Sequence, residues 1–196
     1  MHNIKSFLFA LVVLTISLSA QVKWEFDKSH SKIGFSVTHM LVSTVEGNFK
    51  NYDGSVTTTG DNFENAKINF EADINSINTD NERRDEHLKS DDFFAADKFP
   101  KLTFVGKSFK KVDDHNFKLI GDITIRGITK EVELNAKFNG IVNDPWGNTR
   151  AGFKITGSLN RFDFGLKWNA LIETGGAIVS NEVDLIINAE LVKEKE

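Results

Sequence analysis

The chain has 196 residues, no cysteine and a formal net charge of −4 at neutral pH. A chain of this length usually forms one domain, or two at most. The absence of cysteine excludes disulfides, thiolate metal sites, a cysteine nucleophile and lipid attachment through an N-terminal cysteine, and the acidic balance argues against nucleic acid as a partner.

Residues 1–20 have the pattern of a secretory signal peptide. A short polar start that contains Lys5 precedes an apolar run at residues 7–16, and small residues follow it, as in exported proteins. We expect cleavage after Ala20, which leaves a single domain, residues 21–196, with 23 basic and 28 acidic side chains and a net charge of −5. The mature sequence has no apolar run long enough to span a membrane. The sequence therefore predicts a periplasmic or secreted protein.

The first part of the mature sequence alternates apolar and polar residues, which predicts strands with one buried face. Residues 22–26 and 33–39 follow this pattern, and Phe35, Val37 and His39 share one face of the second run. Residues 66–74 alternate without an error. We expect these faces to be buried together in one core.

A highly charged segment, NERRDEHLKSDDFF at residues 81–94, interrupts the alternation. Thr79 and Glu82 have the spacing of a capping box, so we expect a helix that begins there and ends near Lys89. Residues 90–92 are expected to cap a second short turn, which presents two phenylalanines to the core. The helix has no apolar stripe, so polar contacts must hold it in place.

The charged side chains of this helix allow two interpretations. Arg83 and His87 lie four residues apart and so share a face, where a guanidinium and an imidazole would suit an anionic head group. Arg84 would instead lock the helix in place through Asp80, with which it should pair, through Asp85 or through backbone carbonyls.

The alternation resumes after the helix and continues to the end of the chain, at residues 102–106, 117–125, 132–142, 151–159 and 183–191. Short turns rich in Gly, Asp and Asn separate the runs, and strands joined by such turns are antiparallel. We count about eight long strands. Because each strand must bury its apolar face, an all-β antiparallel barrel that closes on itself is favoured.

Small residues recur at inward positions of the predicted barrel, namely Ala66, Ala72, Gly106, Gly121, Ala136, Gly140, Ala151, Gly157 and Ala189. Such residues can leave volume near the barrel axis for one apolar ligand. They can equally relieve crowding or let the sheet bend. The sequence leaves both interpretations open.

Several segments, taken in order, resemble the YceI-like polyisoprenoid-binding family. They are SHSKIGFSVTHM, RRDEHLKSDDFF followed by FPKLTF, GDITIRGITKEVEL, PWGNTRAGF and LNRFDFGLKWN. The resemblance covers nearly all of the mature chain. It implies an eight-stranded lipocalin-like antiparallel β-barrel with one or two short helices after the fourth strand region. It also implies export to the periplasm and a pore that holds a long isoprenoid, such as a polyprenyl phosphate or a quinone-type lipid.

The candidate ligand contacts combine inward apolar side chains with polar groups on the helix and in the pore. They are Phe35, Val37, His39, Phe49, Phe70, Arg83, His87, Phe94, Phe104, Ala136, Phe138, Phe153 and Trp168. His39 is the candidate polar contact inside the pore; the alternative is a core histidine that a neighbouring backbone group satisfies.

The pattern of histidines and nucleophiles favours a binding protein over an enzyme. No histidine pair has the HxH or HExxH spacing of a metal site, and no GxSxG motif is present, so we expect no catalytic residue, metal or cofactor. The expected partner is a long-chain isoprenoid lipid. A periplasmic enzyme acting on an isoprenoid or another apolar substrate, a protein-interaction module and a homodimer remain alternatives that the sequence leaves open.

Overall fold

The computed structural model describes residues 20–170 and 178–195, so the predicted signal peptide lies outside the described residues except for Ala20. The described backbone is mostly strand, with one α-helix, α1 (Glu82–Lys89). The strands are β1 (Gln21–Phe26), β2 (Lys32–His39), β3 (Ser43–Phe49), β4 (Tyr52–Thr59), β5 (Asn62–Asp73), β6 (Ile77–Asn78), β7 (Lys101–Lys111), β8 (Asn116–Ile125), β9 (Ile128–Asn143), β10 (Thr149–Asn160) and β11 (Val179–Lys193).

These strands form a closed antiparallel barrel of eight long strands, the first three of which are interrupted. The strands β1 and β2 pair with successive parts of the same edge of β11, so they are two halves of one barrel strand. In the same way β3 and β4 form the second barrel strand, and β5 and β6 form the third. The pairing of β1 and β2 with β11 closes the ring. The prediction of an eight-stranded antiparallel barrel is confirmed.

Strand β8 shows why the alternating sequence folds in this way. Its burial alternates along the whole strand, with Phe117, Leu119, Ile123 and Ile125 buried and polar Lys118 between the first two. Because successive side chains point to opposite faces, the apolar set faces the barrel interior.

The two ends of the barrel differ, and the order of the antiparallel strands assigns each turn to one of them. The end that carries the β2–β3 turn, the β8–β9 turn and α1 is called the mouth end. The opposite end, with the β4–β5, β7–β8 and β9–β10 turns, is called the packed end. No helix in residues 20–170 or 178–195 is both long and apolar enough to cross a membrane.

Aromatic rings fill the packed end. The rings of Phe109 and Phe117 stack with their centroids 4.7 Å apart, and that of Phe63 lies 4.9 Å from both Trp24 and Phe153. These five side chains are almost completely buried. Offset and edge-to-face aromatic contacts of this kind stabilise a core beyond the burial of area alone.

The small inward residues near the centre of the barrel make room for neighbouring side chains. A Cβ atom on Gly121 would overlap the ring of Phe104, and one on Gly157 would overlap the side chain of Leu134. Relief of crowding, rather than empty volume, therefore explains these two glycines. The interpretation that they leave space for a ligand is wrong at both positions.

Candidate ligand-binding cavity

A cavity of about 550 Å³ occupies the mouth end of the barrel, within the range of about 300–1,000 Å³ that is usual for sites that bind small molecules. Its apolar wall comes from six strands, from α1 and the segment after it, and from residues that lie between β10 and β11. The apolar lining residues are Phe35, Val37, Val45, Phe49, Leu88, Phe93, Phe94, Leu102, Ile123, Ile125, Leu159, Phe164, Leu166, Trp168, Ile178, Val179, Val183 and Leu185. The polar lining residues are His39, Thr79, Asn81, Arg83, Arg84, His87 and Arg161.

Helix α1 lies where the third and fourth barrel strands separate. At this end β6 pairs with β3 and has two residues, while β7 pairs with β5 further along the barrel. The chain between them, residues 79–100, carries α1. The helix and the segment after it thereby contribute side chains to the cavity wall.

Asn81, not Thr79, caps the N-terminus of α1, because the Asn81 side chain accepts a hydrogen bond from the backbone N–H of Arg84 at 2.9 Å. The sequence therefore predicts the helix correctly, but the predicted capping residue is wrong. The segment after the helix behaves as expected, since its turn buries Phe93 and partly buries Phe94.

Thr79 instead connects the helix to the barrel through a buried hydrogen-bond network. Its hydroxyl donates to Asp85 Oδ1 at 2.5 Å and accepts from Arg84 Nε at 2.7 Å, while Arg84 Nη2 donates to the Thr79 carbonyl at 2.6 Å. Arg84 therefore has the structural role predicted for it, but the expected pair with Asp80 is wrong, because the guanidinium points to Thr79.

An aromatic group forms one side of the cavity. The ring centroids of His87, Phe93 and Trp168 lie 5.1 to 5.3 Å from one another. His87 Nε2 lies 2.9 Å from Asp92 Oδ2, which fixes the orientation of the imidazole. Arg83 is exposed on the neighbouring turn of α1, and within the described residues no carboxylate lies within 4.0 Å of its guanidinium.

Arg161 is the most deeply buried charged residue among the seventeen cavity residues that the predicted ligand contacts do not include. It is 5% exposed, and its guanidinium donates to the carbonyls of Leu166 at 2.5 Å, Trp168 at 2.8 Å and Ser180 at 2.9 Å. Burial lowers the pKa of this guanidinium, and among the described residues no carboxylate lies within 4.0 Å of it. The sequence signal was its place in the LNRFDFG segment, which by itself gives no direction for the side chain.

The cavity brings together eight of the thirteen predicted ligand contacts: Phe35, Val37, His39, Phe49, Arg83, His87, Phe94 and Trp168. His39 lies on its wall, and neither ring nitrogen makes a hydrogen bond to a described residue. Within the described residues, therefore, no backbone group forms the hydrogen bond that a core histidine would need.

The other five predicted contacts lie outside the cavity. Ala136, Phe138 and Phe153 belong to the packed end, where rings already fill the space around them. Phe70 packs on Phe26 and Tyr52, and the ring of Phe104 occupies the space beside Gly121. The alternation of the sequence correctly predicts that these side chains point into the barrel. At their positions, however, the barrel interior is packed core and not cavity. A ligand-binding role for these five stays a prediction that the geometry of the cavity does not support.

A separate polar cluster lies at the break between β1 and β2. Asp27, His30 and Glu190 offer ligand atoms within 4.8 Å of one another, as in some metal sites. The Arg150 guanidinium, however, lies 2.6 Å from both Asp27 Oδ2 and Glu190 Oε1. It already supplies the positive charge between the two carboxylates, so the cluster is an ion-pair network and not a vacant cation site.

The family model for the YceI-like domain matches residues 24–191. A UPF0312 protein of Staphylococcus aureus strain MSSA476 is 40% identical over 166 residues, which cover 84% of this chain and 94% of that protein.

Two solved structures share the barrel. The YceI protein of Campylobacter jejuni is 33% identical, with a TM-score of 0.67 over 87% of this chain and 96% of that one. A polyisoprenoid binding domain from Saccharophagus degradans is 15% identical, with a TM-score of 0.63 over 87% of this chain and 98% of that one. The second likeness shows the fold alone.

Proposed function

Because the chain belongs to the YceI-like family, whose fold is that of a binding domain, we propose that it is an exported protein that binds a long-chain isoprenoid lipid in the cavity. The observation that carries this proposal is the mostly apolar wall of the cavity at the mouth end. The name of the Saccharophagus degradans domain, a polyisoprenoid binding domain, supports the same chemical class. The signal-peptide pattern of residues 1–20 supports export.

The cavity offers an isoprenoid chain the interaction that such a chain can use. A hydrocarbon with few polar atoms binds mainly by the loss of apolar surface from water, worth about 25 cal/mol per Å². The wall residues come from strands on opposite sides of the barrel, so the cavity would surround a bound isoprenoid. Binding therefore needs neither a catalytic group nor a cofactor.

The polar side chains of the cavity favour a phosphorylated lipid over a quinone-type lipid. Arg161 is buried, and Arg83 is exposed at the entrance. Among residues 20–170 and 178–195, no carboxylate lies within 4.0 Å of either guanidinium. A buried charge is stabilised by an opposite charge that approaches it, and guanidinium groups match phosphate oxygens. A phosphate head group supplies that charge, whereas a quinone ring is neutral.

Native mass spectrometry tests this function directly. The protein is purified without detergent from the periplasm of its own host, and its bound mass is compared with that of a lipid extract. We expect a mass that corresponds to one isoprenoid chain with a phosphate or pyrophosphate group. A protein that carries only short metabolites, or nothing, would contradict the proposal.

A further inference from the structure

Three consecutive apolar residues are exposed at the tip of the β2–β3 turn. Met40 is 40% exposed, Leu41 70% and Val42 85%. Scattered exposed apolar side chains are ordinary on a protein surface. Three in succession at the tip of one hairpin are not, since hairpin tips usually carry polar residues and glycine.

The backbone at this tip makes the choice of residues more unusual. Met40 has a φ of 51° and Leu41 a φ of 62°, and the Val42 N–H donates to the His39 carbonyl at 3.1 Å. Two consecutive positive φ angles closed by this hydrogen bond are the features of a type I′ turn, for which Asn-Gly is strongly preferred. The chain therefore places bulky apolar side chains where the backbone disfavours them. Strained positions of this kind are concentrated at functional sites.

The tip is continuous with the rim of the cavity. The Met40 N–H donates to the Ile178 carbonyl at 2.8 Å, and Ile178 and His39 both line the cavity. Exposed Ser43 and Thr44, which follow the tip, are uncharged. An apolar tip thus lies directly beside the rim of the cavity, and residues 40–44 carry no charged side chain.

We propose that the mouth end docks on a lipid bilayer, with Met40, Leu41 and Val42 inserted among the acyl chains. The proposal rests on the proposed function, since a long-chain isoprenoid resides in a bilayer and must leave it to enter the cavity. An inserted tip places the cavity entrance against the membrane, so the lipid can pass between them with little exposure to water. Insertion of apolar side chains stabilises such contacts in proportion to the buried area.

The double substitution Met40→Asn with Leu41→Gly tests the docking surface without harming the fold. It removes two apolar side chains and installs the preferred type I′ pair, so the melting temperature should stay the same or rise. We expect binding to vesicles of phosphatidylethanolamine and phosphatidylglycerol, measured by flotation, to weaken by about tenfold or more. The matched control is Trp146→Ser, which removes a side chain that is 77% exposed at the packed end and should leave vesicle binding unchanged.

The same proteins separate this proposal from the proposed function. Uptake of a polyprenyl phosphate presented in detergent solution requires the cavity but not the tip, so the double variant should keep it. The docking proposal is overturned if the wild type takes up this lipid but does not bind vesicles. It is overturned as well if Trp146→Ser loses vesicle binding while the double variant keeps it. It is also overturned if native mass spectrometry shows a dimer that the double substitution dissociates, because a second copy of the chain then covers the tip. If vesicle binding depends on the tip but no isoprenoid is taken up, the proposed function fails instead.

Discussion

Thr79 joins a helix with no apolar stripe to the barrel wall. Its hydroxyl is shared between Asp85 and Arg84, so a carboxylate and a guanidinium that do not touch each other are linked through one oxygen. Thr79 and Asp85 are buried, and no buried side-chain nitrogen or oxygen in the described residues lacks a hydrogen-bond partner. Loss of Thr79, Arg84 or Asp85 therefore leaves polar atoms unpaired. The position of the cavity wall formed by α1 depends on this network.

Substituting Arg84→Ala should destabilise the protein. The change removes two hydrogen bonds to Thr79, at a cost of about 2 kcal/mol, or roughly 4–8 °C in melting temperature for a domain of this size. Thermal unfolding followed by circular dichroism measures the loss. Arg84→Lys keeps the charge but cannot donate to both Thr79 oxygens in the same way, so an intermediate melting temperature is expected. A melting temperature of Arg84→Ala equal to that of the wild type would contradict this role.

Charge reversal at Arg83 should affect ligand binding and not stability. Arg83 is exposed on α1 and lines the cavity entrance, so Arg83→Glu should leave the melting temperature within about 2 °C, as surface substitutions usually do. Binding of a phosphorylated isoprenoid should weaken by about fivefold or more, because the carboxylate repels the phosphate. Lys154→Glu on the outer face of β10 is the matched control. Equal loss of binding in both variants would mean that net charge, not the position of Arg83, is responsible.

At the scale of elements, an ion-pair network holds the break between β1 and β2. Arg150 on β10 donates to Asp27 in the break, to Glu190 on β11 and, at 2.7 Å, to Asp144 in the β9–β10 turn. Although burial raises the pKa of the Asp27 carboxyl, hydrogen bonds from His30 and Arg150 outweigh it and hold this pKa far below its usual range. The interruption in the barrel strand is thereby fixed to three neighbouring elements.

His30 makes the contribution of this break depend on pH. A hydrogen bond to Asp27 and the charge of Asp27 raise the pKa of His30. Because the folded pKa lies above the unfolded value of about 6.5, the stabilisation is complete below that pH and disappears as pH rises through the folded pKa. The wild type should therefore exceed His30→Ala in melting temperature at pH 5.5, and the difference should shrink by pH 9. A difference that is constant or grows with pH would refute the assignment.

The elements show which features sequence periodicity can predict. Residues 66–74 and β8 alternate cleanly, and both were assigned to the correct face. The interruption near Asp27 could not be predicted, because it depends on side chains that approach from β10 and β11. The prediction of Thr79 as the helix cap is wrong because Thr and Asn are both common capping residues. The Thr79 hydroxyl is bound to buried Asp85, so Asn81 caps the helix instead. The direction of Arg161 likewise depends on the path of the chain after β10, because its guanidinium donates to carbonyls of Leu166, Trp168 and Ser180.

At the scale of the whole molecule, one barrel combines a solid core with a binding site. Aromatic rings fill the packed end, while the mouth end holds the cavity of about 550 Å³. Sequence alternation identifies inward residues along the full length of each strand, but it does not distinguish the two ends. That distinction arises from the size of the side chains that converge from several strands at each level, so the sequence predicted eight cavity residues together with five that lie elsewhere.

A pair of substitutions to phenylalanine should separate the two ends. Ala136 is 1% exposed and faces Phe117 and Ile155 on the neighbouring strands, so Ala136→Phe overpacks a filled core and should cost about 1–3 kcal/mol. Val45 lines the cavity, so in Val45→Phe the added ring occupies ligand space and should cost little stability while reducing lipid uptake.

Urea denaturation of delipidated protein and uptake of a polyprenyl phosphate measure the two effects. If Ala136→Phe leaves the denaturation midpoint unchanged and blocks uptake, the ligand space reaches the packed end. If Val45→Phe instead lowers the midpoint as much as Ala136→Phe does, the mouth end is packed as well, and the binding cavity is not there.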